Sequence, residues 1–227
     1  MERVFRHFQD DLDALKQRLL AMGGLAEERV RESVRGLMDR EPDALDAVLA
    51  GDQPINDLHI EIDDRCFKLL ALHQPVAADL RVIVAVVKIN ADLERVGDLA
   101  VNIAEAGKRY LRHAPVKPLI DIPRMGELAQ TMLRESLDAF VRRDLALAES
   151  VLAQDDVVDA LKTQIFRELL TYMLSDPATI EPALDLILIS RHLDRIGDHA
   201  TNVAEDVIFI LSAKDVRHTG AGPARAE

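Results

Sequence analysis

One cysteine, no tryptophan and only 4% aromatic residues stand in a chain of 227. The single thiol, Cys66, excludes an intramolecular disulfide and any cysteine-rich zinc site. With so few rings, the core must be filled by Leu, Val, Ile and Ala. Hydrophobic residues at 48% and charged residues at 30% suit helices packed on helices. No apolar run reaches the roughly 18 residues that span a bilayer. The stretch "MERVFRHFQDDLDALKQ" has no apolar signal core either. A cytoplasmic chain, at most peripheral to a membrane complex, is expected. Basic residues are also short: 28 against 40 acidic ones, a net charge of −12. That balance excludes a duplex nucleic acid partner, which needs clustered Lys and Arg, and leaves room for cations.

Catalytic signatures are missing as well. There is no Gly-rich phosphate loop, no G-x-S-x-G and no Glu-x-x-His, so nucleotide hydrolysis, α/β-hydrolase chemistry and di-iron bundle catalysis lose their usual marks. No catalytic residue is expected, and no cofactor is required for catalysis. Cys66, within "DDRCFKLL", reads as a core residue.

What the chain does have is apolar residues at three- and four-residue steps almost throughout, the period of amphipathic helix. Breaks fall at "MDREP" (38–42), "HQPVAADLR" (73–81), "HAPVKPLIDIP" (113–123), "RRD" (142–144) and "SDPATIEP" (175–182). Prolines at 42, 75 and 177 are placed to open helices, with Asp39 and Asp176 as candidate caps. Six helices follow, over 4–38, 42–72, 76–112, 120–142, 145–174 and 178–213. The β-branched run "VIVAVVKI" (82–89) stays in helical phase and is assigned to a buried helix. At about 1.5 Å per residue, helices of some 30 residues reach about 45 Å, and short connections make successive ones antiparallel neighbours.

The chain also repeats itself. "NADLERVGDLAVNIAE" (90–105) returns one hundred residues later as "SRHLDRIGDHATNVAE" (190–205), "MGGLAEERVRESV" (22–34) as "MGELAQTMLRESL" (125–137), and "VLAGDQPIND" (48–57) as "VLAQDDVVDA" (151–160). The fold class expected is therefore all-α, two pseudo-symmetric three-helix bundles from an internal duplication. The first covers 1–113 and the second 114–213, with a flexible tail at 214–227.

On a helical wheel Glu94, Asp98, Asn102 and Glu105 share one stripe within about 80°, nearly opposite the apolar set of Val82, Val86, Ile89, Leu93, Val96, Ala100 and Ile103. Asp194, Asp198, Asn202 and Glu205 repeat the stripe. Like charges four residues apart cost a few tenths of a kcal/mol, and Gly97 and Gly197 each add nearly 1 kcal/mol relative to Ala. A duplicated cost suggests close backbone approach or a bound ion, although a plain solvated face also accounts for such acids. Oxygen ligands on adjacent turns suit iron, manganese or magnesium, with further ligands needed from a neighbouring helix. Asp52, Asn56, His59 and Asp63 lie on one face of the 42–72 helix. The second half has Asp155 and Asp159, then Lys162 and Phe166, a poorer set.

The motifs "QPVAADLR", "DLERVGDLAVNIAE" and "HLDRIGDHATNVAE", with "MGGLAEERV", "AGDQPIN" and "LLTYML", resemble the PhoU family over nearly the whole chain. The resemblance implies a negative regulator of phosphate uptake and phosphate-starvation signalling rather than an enzyme. It implies an adaptor between the ATPase subunit of the phosphate ABC transporter and a phosphate-sensing histidine kinase, working as a homodimer. It further implies iron or another metal ion (Zn, Mn or Mg) at an E(D)xxxD motif in each half, here Glu94 with Asp98 and Asp194 with Asp198. The alternative reading is a metal-binding helical bundle for iron storage or metal-dependent turnover.

Overall fold

The structure, a computed structural model, describes residues 2–213, with side chains from His7 onward. The tail expected at 214–227 lies outside the described residues. Among those described there is no strand, and seven α-helices follow in order. They are α1 (Glu2–Met38), α2 (Pro42–Ala50), α3 (Gln53–His73), α4 (Ala78–Tyr110), α5 (Asp121–Arg142), α6 (Leu145–Ser175) and α7 (Ile180–Ser212), with a 3-10 turn at Pro177–Thr179 before the last. The chain is all-α and built from two repeated units, α1 to α4 and α5 to α7, with α2 and α3 together standing where the second unit has α6. The run "VIVAVVKI" lies within α4.

One expected helix is two. The stretch 42–72 divides into α2 and α3 at Gly51 and Asp52. Pro54 has no N–H to return to the carbonyl of Ala50, so the ladder fails there. The second half has Gln154 and Val157 at the positions of Gly51 and Pro54, and α6 runs through unbroken. Arg29 of α1 closes the gap: its Nη1 donates to the Val48 carbonyl at 2.5 Å, and its guanidinium lies where a side chain on Gly51 would go.

The start of the fourth helix also moves, from the expected 76 to Ala78. Gln74 and Ala77 both take left-handed backbone, φ 47° and 49°. The reversal between α3 and α4 is made there, so Pro75 stands in the connection and not in the first turn. Asp39 caps nothing: the residue before α2 is Glu41, with Pro42 in the first turn. Asp176 does cap, accepting from the Ala178 N–H at 3.0 Å. Asp144 likewise accepts from the Leu147 N–H at 3.0 Å to open α6.

The halves meet along two antiparallel helix pairs. In α1 and α5, Gly23 packs on Leu137 while Gly126, its counterpart, packs on Val34, the counterpart of Leu137. This is the reciprocal pattern of a two-fold interface. In α4 and α7, Lys88 pairs with Asp206 at 2.8 Å and Arg109 with Asp185 at 2.8 Å. A single apolar cluster runs through both halves, including Leu15, Leu19 and Met22 of α1, Ile89 and Leu93 of α4, Met125 and Met132 of α5, and Leu186, Ile189 and Leu193 of α7. Each large aliphatic side chain so buried is worth roughly 1.5–3 kcal/mol. A smaller cluster of Leu45, Val48 and Ala104 fixes α2 on α4.

Candidate functional site: paired acidic clusters

The wheel's apolar set on α4 is buried throughout, but the acids opposite it are not on an open face. α4 is a central helix, packed against α1, α2, α3 and α7. The acidic stripe consequently lies at the seam with α3. Gly97 is buried there, and a Cβ on it would stand 3.0 Å from Ile55 Cδ1 and 3.8 Å from Asp52 Oδ1. Asp52 of α3 is thereby brought beside the Glu94–Asp98 segment. The Glu94 side chain is only 23% exposed. Arg95 binds both acids from the solvent side, 3.5 Å from Glu94 Oε2 and 3.1 Å from Asp98 Oδ2.

Further along the seam, buried Asn90 donates from Nδ2 to the His59 carbonyl and to Asp63 Oδ1, both at 3.0 Å. The His59 imidazole lies 3.7 Å from Asp63 Oδ2. Asn90 Oδ1 and His59 Nδ1 are both buried without a hydrogen-bond partner. Asn56 turns back along α3, donating to Asp52 Oδ2 at 2.7 Å.

In the second half α6 and α7 repeat this seam. A Cβ on Gly197 would stand 3.7 Å from Asp155 Oδ1. Lys162 Nζ donates to Asp159 Oδ1 at 2.5 Å and to Asp194 Oδ2 at 2.9 Å, joining the two helices. Burial and then the charges of Asp198, Asp159, Asp194 and Asp156 push the Asp155 carboxyl up to about 6. Burial raises Asp194 as well, against the downward pull of Lys162. The two hydrogen bonds hold the Lys162 ammonium more firmly charged than an ordinary lysine.

The stripes do not stay together over their full length. Asn202 leaves the acids and donates to Asp92 Oδ1 across the α4–α7 contact at 3.2 Å. Glu105 is exposed and lies near His192 of α7, whose imidazole is held below its ordinary range by burial and by Arg195, Arg191 and Arg109. Asn102 and Glu205 are half-buried. What remains at each seam is the E(D)xxxD pair with acids of the preceding helix.

Among the described residues no three His, Cys, Asp or Glu side chains converge as metal ligands. The acids as arranged therefore do not fit a preformed metal centre, and in the second half an ammonium already stands between them. Sequence reading missed two features: Lys162 as a bridge to Asp194, and the 2.7 Å contact of His199 Nδ1 with Asp92 Oδ1. The first had a faint signal, a lysine three residues after Asp159. The second had none, because its partners lie 107 residues apart. Cys66 is buried, and burial with the nearby Asp63 charge pushes its thiol up to about 12, far from a reactive thiolate.

Comparison with known proteins matches the PhoU domain twice, over residues 19–107 and 122–207. A phosphate-specific transport system accessory protein PhoU homolog from Caulobacter vibrioides is 41% identical over 219 residues, 95% of this chain and 94% of that one. Its counterpart from Pseudomonas aeruginosa is 39% identical, covering 96% and 90%. The crystal structure of PhoU from Pseudomonas aeruginosa superposes with a TM-score of 0.88 at 38% identity, over 91% of this chain and all of that one. The phosphate transport system regulatory protein PhoU from Streptococcus pneumoniae gives 0.84 at 26% identity, over 92% and 99%.

Proposed function

The chain belongs to the PhoU family, and on that premise we propose that it is an accessory protein of a phosphate-specific transport system that restrains phosphate uptake and starvation signalling. It acts as an adaptor between the ATPase subunit of the phosphate ABC transporter and a phosphate-sensing histidine kinase, at the cytoplasmic face of the membrane and as a homodimer. The observation that carries this reading is likeness across both repeats, over nearly the full length of relatives named as accessory proteins of such systems. No helix among the described residues is long and apolar enough to cross a membrane, which suits a chain that docks on a transporter. Ile60 and Phe67, both 67% exposed and seven residues apart on α3, present apolar surface of the kind protein partners cover.

Adaptor action needs surfaces and not turnover. The one thiol is buried and unreactive, and the alternative of metal storage or metal-dependent turnover finds no support in the side-chain arrangement. Deletion of the gene in its native host tests the proposal. Starvation genes are expected to be expressed at high phosphate in the deletion strain and silenced again on complementation. Unaltered expression overturns the reading.

A further inference from the structure

We propose that the second acidic cluster carries its own cation: the Lys162 ammonium takes the place between Asp159 and Asp194 that an ion would occupy, and the native chain binds no metal there. The geometry is that of a filled site. Nζ reaches acids on two different helices, 2.5 Å to Asp159 of α6 and 2.9 Å to Asp194 of α7. The ammonium is a compact point charge on a flexible stem, the side chain that most nearly imitates a small cation. An incoming divalent ion would have to expel a half-buried, doubly hydrogen-bonded ammonium or bind beside it against like charge.

The first half shows what the seam looks like without this device. His59 stands at the position of Lys162 and Asn56 at that of Asp159. The His59 imidazole turns to Asp63 of its own helix, and among the described residues the ion pair to Glu94 comes from Arg95 of α4 and not from α3. Arg95 pairs with both Glu94 and Asp98, from a side chain 61% exposed. Arg195 stands at the position of Arg95, but among the described residues the cation paired with the second seam's Asp194 is Lys162, from α6. The duplicated acids have thus diverged: one copy is neutralised internally by a lysine from the facing helix.

The test uses the full chain and manganese(II) as the probe, followed by calorimetric titration and thermal melting. Replacing Asp194→Asn together with Asp198→Asn, with Lys162 kept, leaves manganese stoichiometry equal to that of the native chain. Lys162→Met opens the seam, so the variant takes up one further manganese per chain and its melting temperature rises on adding manganese by several degrees more than that of the native chain. Combining all three substitutions abolishes that gain, and Lys162→Arg keeps native behaviour. Loss of bound manganese in the Asp194→Asn/Asp198→Asn variant overturns the proposal. So does native stoichiometry with no added manganese-dependent melting shift in Lys162→Met. Should Lys162→Met not fold, the double variant decides alone, since there Lys162 keeps Asp159 as its partner and the amides fill the space of the carboxylates. These readouts involve neither the transporter nor the kinase, so their outcome is independent of the adaptor reading.

Discussion

Gly97 and Gly197 occupy matching positions in the two halves but meet different neighbours. A Cβ on Gly97 would press on Ile55 at 3.0 and 3.3 Å, whereas one on Gly197 would find only ordinary contacts at 3.6 Å and beyond. Close approach accounts for the first glycine and not for the second. Gly197→Ala is therefore expected to stabilise the fold by up to about 1 kcal/mol, the helix-propensity gain. Gly97→Ala is expected to lose that gain against a β-branched neighbour that must give way. Denaturant melts of the two variants check the contrast, and equal shifts would contradict it. At the same scale, Asp155 is raised from 3.8 to about 6, so between those values the folded chain keeps a proton that the unfolded chain has shed. Stability from this group is present at low pH and falls as pH rises from about 4 to about 6. Asp155→Asn is expected to flatten that slope and raise the melting temperature at pH 7, read from melts at pH 4, 5, 6 and 7.

At the scale of elements, the halves differ most in the second helix. The apolar period runs on from 42 to 72, so sequence periodicity reads one helix, while Pro54 and Gly51 divide it. The signal was present in "AGDQPIN", but a proline near a helix start and one that breaks a helix look alike until the contacts that hold the break are known. Here Arg29, from α1, supplies one of them, donating to the Val48 carbonyl just before the break. Arg29→Met is expected to cost about 1 kcal/mol, the net worth of one such hydrogen bond. Amide exchange across 45–52 should speed up while α6 is unaffected. Unchanged protection across that segment would show that Arg29 does not hold the break.

The whole molecule behaves, by this packing, as one cooperative unit despite its duplicated halves. The apolar cluster is continuous across them, and the buried carboxylates of Asp185 and Asp206 are paired across the α4–α7 contact. The chain has two tyrosines and no tryptophan, with Tyr110 in the first half and Tyr172 in the second. Tyr172→Phe leaves fluorescence that reports only the first half, and Tyr110→Phe only the second. After correction for each substitution's own cost, the midpoints in urea are expected to coincide, each probe showing one transition. Separate transitions would mean that the halves unfold independently. Removing Arg109 tests the clasp itself: Arg109→Ala leaves the Asp185 carboxylate buried and unpaired, and should cost about 2–3 kcal/mol, at or somewhat below the usual range because the arginine is half-exposed.

By itself the sequence determined the helical content, the duplication, the aliphatic core and the equivalence of the two acidic stripes. These rest on a 3.6-residue period and on repeated residues, both properties of a one-dimensional string. It also placed Lys162 where the second stripe fails. Only the tertiary structure decided that this lysine turns to Asp194, 32 residues away, that Asn202 leaves the acids for Asp92, and that Glu94 lies at a seam and not on an open face. A helical wheel gives the direction of a side chain but not what the facing helix brings to meet it. Here the facing helices differ between the halves, at His59 and Lys162, and that difference gives two matching acidic motifs different surroundings.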